Sequence, residues 1–215
     1  MARIFQESTQ PIERFSLPES PSNLQSAPVI IRTALQEATT ALNTAGVENA
    51  AANAEWLMAE VLSCPRPELP LHWSETLEAT QIQRWQSLVD GRVDRIPLQH
   101  LLGTAEFCGL AFEINSSVLV PRPETELLAE AAWAVAAIKE ESVVLDIGTG
   151  SGCLAVSVAV HAEETTIHAL DISTAAINVA RANAERHGVA ERIIFHEGDA
   201  RVALPGTCLF DVIVS

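Results

Sequence analysis

Three features in the last third of the chain are suited to holding a small polar ligand: the run Asp146-Ile-Gly-Thr-Gly-Ser-Gly152 and the carboxylates of Asp171 and Asp199. Gly148, Gly150 and Gly152 follow a G-x-G-x-G pattern, so the third glycine comes one residue earlier than in the dinucleotide fingerprint G-x-G-x-x-G. A turn made of these glycines, with Thr149 and Ser151 between them, lets the backbone come close to a ligand. The helix that follows would present N–H groups to a carboxylate. Asp171 lies about 20 residues past the glycines, where a carboxylate can accept from both ribose hydroxyls. Asp199 stands inside Glu197-Gly-Asp-Ala200, with Ala200 beside it, where a carboxylate can accept from an adenine amino group. Each feature alone is an ordinary turn or cap; their shared spacing points to a nucleoside.

These residues must be placed by a regular framework. From Ser142 onward apolar strand-like and helix-like runs alternate: Val143 to Ile147, a helix from Cys153, Thr166 to Leu170, a helix from Ser173 to His187 closed by Gly188, Arg192 to His196, and Leu209 to Val214. Alternation of this kind predicts an α/β fold with a parallel sheet and crossover helices, and it sets the glycines and both aspartates at strand ends on one edge. Upstream, Pro123, Glu124 and Glu126 suit the first turn of a helix that runs to about Lys139. The run from Ala105 to Ile114, with Gly109 at its middle, predicts a short β-hairpin able to join two domains.

Apolar residues earlier in the chain recur at helical spacing. Ile30, Ala34, Leu35, Ala38 and Leu42 mark one helix, ended by Gly46. Ala54, Leu57, Met58, Val61 and Leu62 mark a second, before Pro65, and Ile82, Trp85, Leu88 and Val89 a third, from about Thr80 to Val93. The expected organisation is an extended or disordered arm over 1–28, a helical domain over 29–103, a hairpin linker over 104–120 and a sheet domain over 121–215.

Composition narrows the function. The chain has 215 residues, 48% of them hydrophobic and 19% charged, enough apolar surface for a buried core. The formal net charge is −15 with only 13 basic residues, which disfavours direct nucleic-acid binding and favours a basic protein partner or a small ligand. No stretch has the length and apolarity of a membrane span, and the start, with Arg3 and Glu7, lacks a secretory signal, so a cytoplasmic protein is expected. Cys64, Cys108, Cys153 and Cys208 lie more than forty residues apart and the six histidines are scattered. Core thiols and no metal are expected.

The stretch from Val143 to Ser215 resembles class I methyltransferases. Ile96-Pro-Leu-Gln-His-Leu-Leu-Gly103, Glu106-Phe107 and Leu119-Val-Pro-Arg-Pro-Glu-Thr-Glu126 resemble, more narrowly, the HemK/PrmC family of N5-glutamine methyltransferases. The resemblance covers residues from about 29 to the end. It implies a Rossmann-like sheet behind a helical bundle that docks a partner, with S-adenosyl-L-methionine as cofactor and class 1 peptide chain release factors as substrate. The methyl acceptor would be the glutamine side-chain nitrogen of their Gly-Gly-Gln motif.

Gly148, Thr149, Gly150, Ser151, Gly152, Asp171, Asp199 and Ala200 would then bind the cofactor. In the family the strand matching Leu209 to Ser215 leads into Asn-Pro-Pro-Tyr, which orients the glutamine amide; that motif would begin after Ser215. No catalytic residue is therefore expected within this chain, the sheet is expected to be truncated, and 1–215 alone is expected to be inactive. A DNA adenine N6-methyltransferase and a non-catalytic cofactor- or partner-binding fragment are the rival readings.

Overall fold

A computed structural model describes residues 28–202 and 209–215. The expected arm, all but Pro28, and Cys208 lie outside the described residues. The chain divides into two units, Met1–Leu102 and Gly103–Ser215.

In the first unit, α1 (Ile31–Thr44) and α2 (Ala50–Leu62) lay their apolar stripes against α4 (Ala79–Val93). Two short helices, α3 (Leu69–His72) and α5 (Leu98–Leu102), complete the bundle and have no counterpart among the expected elements, because one turn is too short to show periodicity. The core holds Leu42, Leu57, Met58 and a fully buried Trp85. Glu78 and Gln81 form a reciprocal capping box at the start of α4, satisfying two otherwise orphaned N–H groups. Asn53 donates to the Glu48 and Asn49 carbonyls and accepts from Arg92 at 2.8 Å, so this buried amide has partners on both sides.

The second unit opens with a hairpin, β1 (Thr104–Phe107) and β2 (Leu110–Glu113), in register Thr104 to Glu113. Cys108 and Gly109 form its two-residue turn, both with positive φ, 50° and 72°, which matches the right-handed strand twist. Phe107 and Phe112 meet edge to face and are buried in the same core as the sheet, so by its packing the hairpin belongs to this unit. Glu126, in the first turn of α6 (Pro123–Ala136), accepts the Cys108 N–H at 3.1 Å and anchors the turn. The helix stops short of the expected Lys139.

Beyond it come β3 (Val143–Ile147), α7 (Cys153–His161), β4 (Thr166–Asp171), α8 (Thr174–Arg186), β5 (Ile193–Glu197) and β6 (Val212–Val214). The four strands are parallel in the order β5-β4-β3-β6. The α/β class and the crossover helices are as the alternation predicts. Ser173 caps α8 through its hydroxyl, and Gly188 closes it with φ +69°.

One strand is shorter than expected: Leu209 to Asp211 do not join β6, and Leu209 is 92% exposed. Asp211 explains the break. Its carboxylate accepts the Val143 N–H at 2.9 Å and Lys139 at 2.8 and 2.9 Å, so the chain enters the sheet through a polar clamp. Cys64, Cys108 and Cys153 are half-buried rather than fully enclosed. Among the described residues no helix is long and apolar enough to cross a membrane, and no cluster of three or more His, Cys, Asp or Glu side chains could hold a metal.

Candidate functional site

The site is built where the C-terminal ends of β3, β4 and β5 lie side by side, the position at which open parallel sheets bind ligands. The glycine loop leaves β3 and turns back onto the end of β4. Gly148 N–H and Thr149 N–H both donate to the Leu170 carbonyl, at 2.8 and 3.0 Å. Gly150 N–H donates to Asp171 Oδ2 at 2.9 Å, and the other carboxylate oxygen accepts Ser173 N–H at 2.9 Å. Asp171 thus braces the loop and the start of α8 together. It is only half-buried, and each oxygen keeps a lone pair for a ligand. Gly198 N–H donates to the Asp171 carbonyl at 2.9 Å, which brings Asp199 and Ala200 alongside.

The three loop glycines are required for two different reasons. Gly148 and Gly150 have φ of +77° and +55°, and a Cβ at either would meet open space or ordinary contact, so only the backbone conformation selects glycine. Gly152, with φ +77°, also sits against α8: a Cβ there would lie 2.9 Å from the Ala180 Cβ and 3.1 Å from its Cα. Its role is close helix packing.

Thr149 and Ser151 are buried, and their side chains turn inward. Thr149 donates to Asp146 Oδ2 at 2.7 Å, and Ser151 hydrogen-bonds the Cys153 thiol. Burial pushes that thiol up to about 11, so it is no nucleophile at neutral pH.

Two residues that spacing did not single out hold this geometry. Asp146, next to the last residue of β3, is buried. Burial pushes its carboxyl up to about 6, opposed by hydrogen bonds from the Thr149 hydroxyl and the Ala155 N–H, with the Asp171 charge adding to the rise. The N-terminus of α7, expected to face a ligand carboxylate, is therefore partly satisfied by the protein's own carboxylate.

Asn183, fully buried on α8, accepts the Glu113 N–H and donates to the Glu113 and Ser151 carbonyls, at 2.8, 2.8 and 2.9 Å. The available signal was an asparagine on the apolar stripe of Ala176, Ile177, Ala180 and Ala184. Asp199, by contrast, is not open: Arg201 occupies its carboxylate, through Nη2 at 2.6 Å among other contacts.

Residues 33–103 match the PrmC N-terminal domain and residues 138–215 a methyltransferase domain. The release factor glutamine methyltransferase of Geobacter sulfurreducens is 41% identical over 170 residues, covering 79% of this chain and 58% of that protein. That of Moorella thermoacetica is 37% identical over 176 residues, covering 82% and 62%. The chain thus spans about three fifths of the length of these curated relatives. Among solved structures, a SAM-dependent methyltransferase from Geobacter sulfurreducens in complex with S-adenosyl-L-homocysteine is 30% identical over 37% of this chain and 30% of that one, with a TM-score of 0.31. An RNA methyltransferase from Salinibacter ruber, in complex with the same molecule, is 28% identical over 40% and 53%, with a TM-score of 0.35.

Gly152→Ala is expected to destabilise the chain by roughly 1–3 kcal/mol, through the positive φ and the Ala180 contact together. Ala180→Gly in the same chain should return part of that loss in urea unfolding. No recovery would mean that packing against α8 contributes nothing.

Asp146→Asn keeps an acceptor for Ala155 while the Thr149 hydroxyl turns to accept from the new amide. The wild-type carboxyl titrates at about 6 when folded, against an ordinary value of 3.8, so the folded state holds the proton more tightly and stability falls as pH rises between those values. The variant should therefore be more stable than wild type at pH 8, by up to roughly 3 kcal/mol, with the difference vanishing near pH 4. A difference that did not change with pH would contradict this.

Proposed function

We propose that the protein carrying this chain, whose residues 33–103 match the PrmC N-terminal domain and 138–215 a methyltransferase domain, methylates the glutamine side-chain nitrogen in the Gly-Gly-Gln motif of class 1 peptide chain release factors. The observation that carries this reading is the likeness to release factor glutamine methyltransferases along 79% and 82% of this chain, at 41% and 37% identity. The N-terminal helical unit, over 29–103, docks the partner, and the sheet unit holds the cofactor. A release-factor substrate places the protein in the cytoplasm.

The cofactor is S-adenosyl-L-methionine, which supplies, when bound, a sulfonium methyl as the electrophile. The residues at the strand ends fit it. Asp171 has acceptor capacity for the ribose hydroxyls, and the loop Gly148-Thr149-Gly150-Ser151-Gly152 presents backbone without side-chain obstruction, since Thr149 and Ser151 turn inward. Asp199 and Ala200 border the adenine. These residues bind and orient; the amide-orienting groups belong to the Asn-Pro-Pro-Tyr motif that the resemblance places after Ser215.

Titration calorimetry with S-adenosylhomocysteine tests the site. Asp171→Ala should weaken binding by about tenfold or more, since charge-assisted hydrogen bonds contribute about 1.5–3 kcal/mol each. Because Asp171 also braces the loop, a 2′-deoxyribose analogue separates the two effects. It should bind wild type more weakly than the parent ligand but lose little further affinity in the variant. An equal loss in both proteins would remove Asp171 as the ribose partner. Mass spectrometry of release factor incubated with the protein extended through the region that follows Ser215 in its relatives should show one added methyl on the glutamine; its absence would overturn the proposed substrate.

A further inference from the structure

In the cofactor reading Asp199 borders the adenine, yet its carboxylate is already engaged. Oδ1 accepts the Arg201 N–H at 2.9 Å and Nε at 3.0 Å, while Oδ2 accepts Nη2 at 2.6 Å and Nε at 3.2 Å. The two residues lie on one turn, closed by Val202 N–H donating to the Asp199 carbonyl at 2.9 Å. The guanidinium holds the Asp199 carboxyl below its usual range. The Arg201 side chain is 86% exposed and that of Asp199 34%. A pair so open to water has a low net strength, so it can be exchanged for another partner at little cost. A carboxylate covered by a guanidinium presents donors where it would otherwise present acceptors.

Resting on the cofactor reading above, we propose that Arg201 sets the base selectivity of this site by competing with the 6-amino group of adenine for the Asp199 carboxylate. With Arg201 seated, the amino group gains no acceptor and faces like donors, whereas a 6-oxo purine can accept from the guanidinium. With Arg201 displaced, Asp199 accepts from the amino group and rejects the oxo group. The wild-type site therefore discriminates weakly between the two bases, and its discrimination is restrained by one surface ion pair.

The test is the ratio of dissociation constants for S-inosylhomocysteine, which carries the 6-oxo base, and S-adenosylhomocysteine, measured by calorimetry. Arg201→Ala should raise that ratio by about fivefold over wild type, the small effect expected of an exposed ion pair. High salt should raise the wild-type ratio and leave that of the variant nearly unchanged. Asp199→Asn combined with Arg201→Ala should cancel the gain. An unchanged or lower ratio in Arg201→Ala, with both ligands still bound, would overturn the competition while leaving the cofactor site intact. Failure of the wild type to bind either ligand would overturn the site and the competition together.

Discussion

A single buried amide, that of Asn183, sets the geometry on which the candidate site depends. Its three hydrogen bonds join the end of β2, the carbonyl of Ser151 in the glycine loop and the body of α8. Each partner is a backbone group, and a buried carbonyl or N–H left without one costs about 1–3 kcal/mol, so the arrangement is strongly fixed. The same helix approaches the loop again through Ala180, which leaves no room for a side chain at Gly152. From the opposite side Asp171, which ends β4, accepts the Gly150 N–H. The loop is thereby held by the strand and helix of one crossover unit, and its backbone is placed before any ligand arrives.

Electrostatics at this edge follows from the packing. The Asp171 charge is close enough to Asp146 to add to the rise of its carboxyl. Among the described residues neither has a basic side chain as a hydrogen-bond partner: Asp146 is met by Thr149 and Ala155, and Asp171 by Gly150 and Ser173. A ligand that brings positive charge to these strand ends relieves that repulsion, and S-adenosylmethionine, with its sulfonium and ammonium groups, has this character. The overall charge of −15 acts in the same direction at longer range, and favours a basic surface on a protein partner.

The framework was legible because its punctuation is local. β3 and the start of α7 fall at the expected residues, since an apolar strand, a glycine turn and an apolar helix are each set by neighbours in the chain. The hairpin followed from the apolar residues that flank Gly109, although the other positive φ of its turn, at Cys108, carries no glycine to announce it. What spacing could not reveal depends on residues far apart in sequence. Asn183 is a polar exception on the apolar stripe of α8, and its role shows only when Glu113 and Ser151 are brought to it across 70 and 32 positions. The start of β6 is trimmed by Lys139 across 72 positions, whereas the inward turn of Thr149 onto the buried Asp146 spans only three. The closed state of Asp199 is local, yet an exposed arginine two residues on carries no periodic signal.

The most direct test of the account is a crystal structure of the protein with S-adenosylhomocysteine bound. The nucleoside should lie across the C-terminal ends of β4 and β5, with the ribose hydroxyls within about 3 Å of the Asp171 carboxylate. The amino-acid end should rest over the glycine loop, and the Asn183 hydrogen bonds should be unchanged from those described above. A ligand bound elsewhere, or a glycine loop that had to leave Asn183 and Asp171 to admit it, would contradict the claim that this preformed loop is the cofactor site.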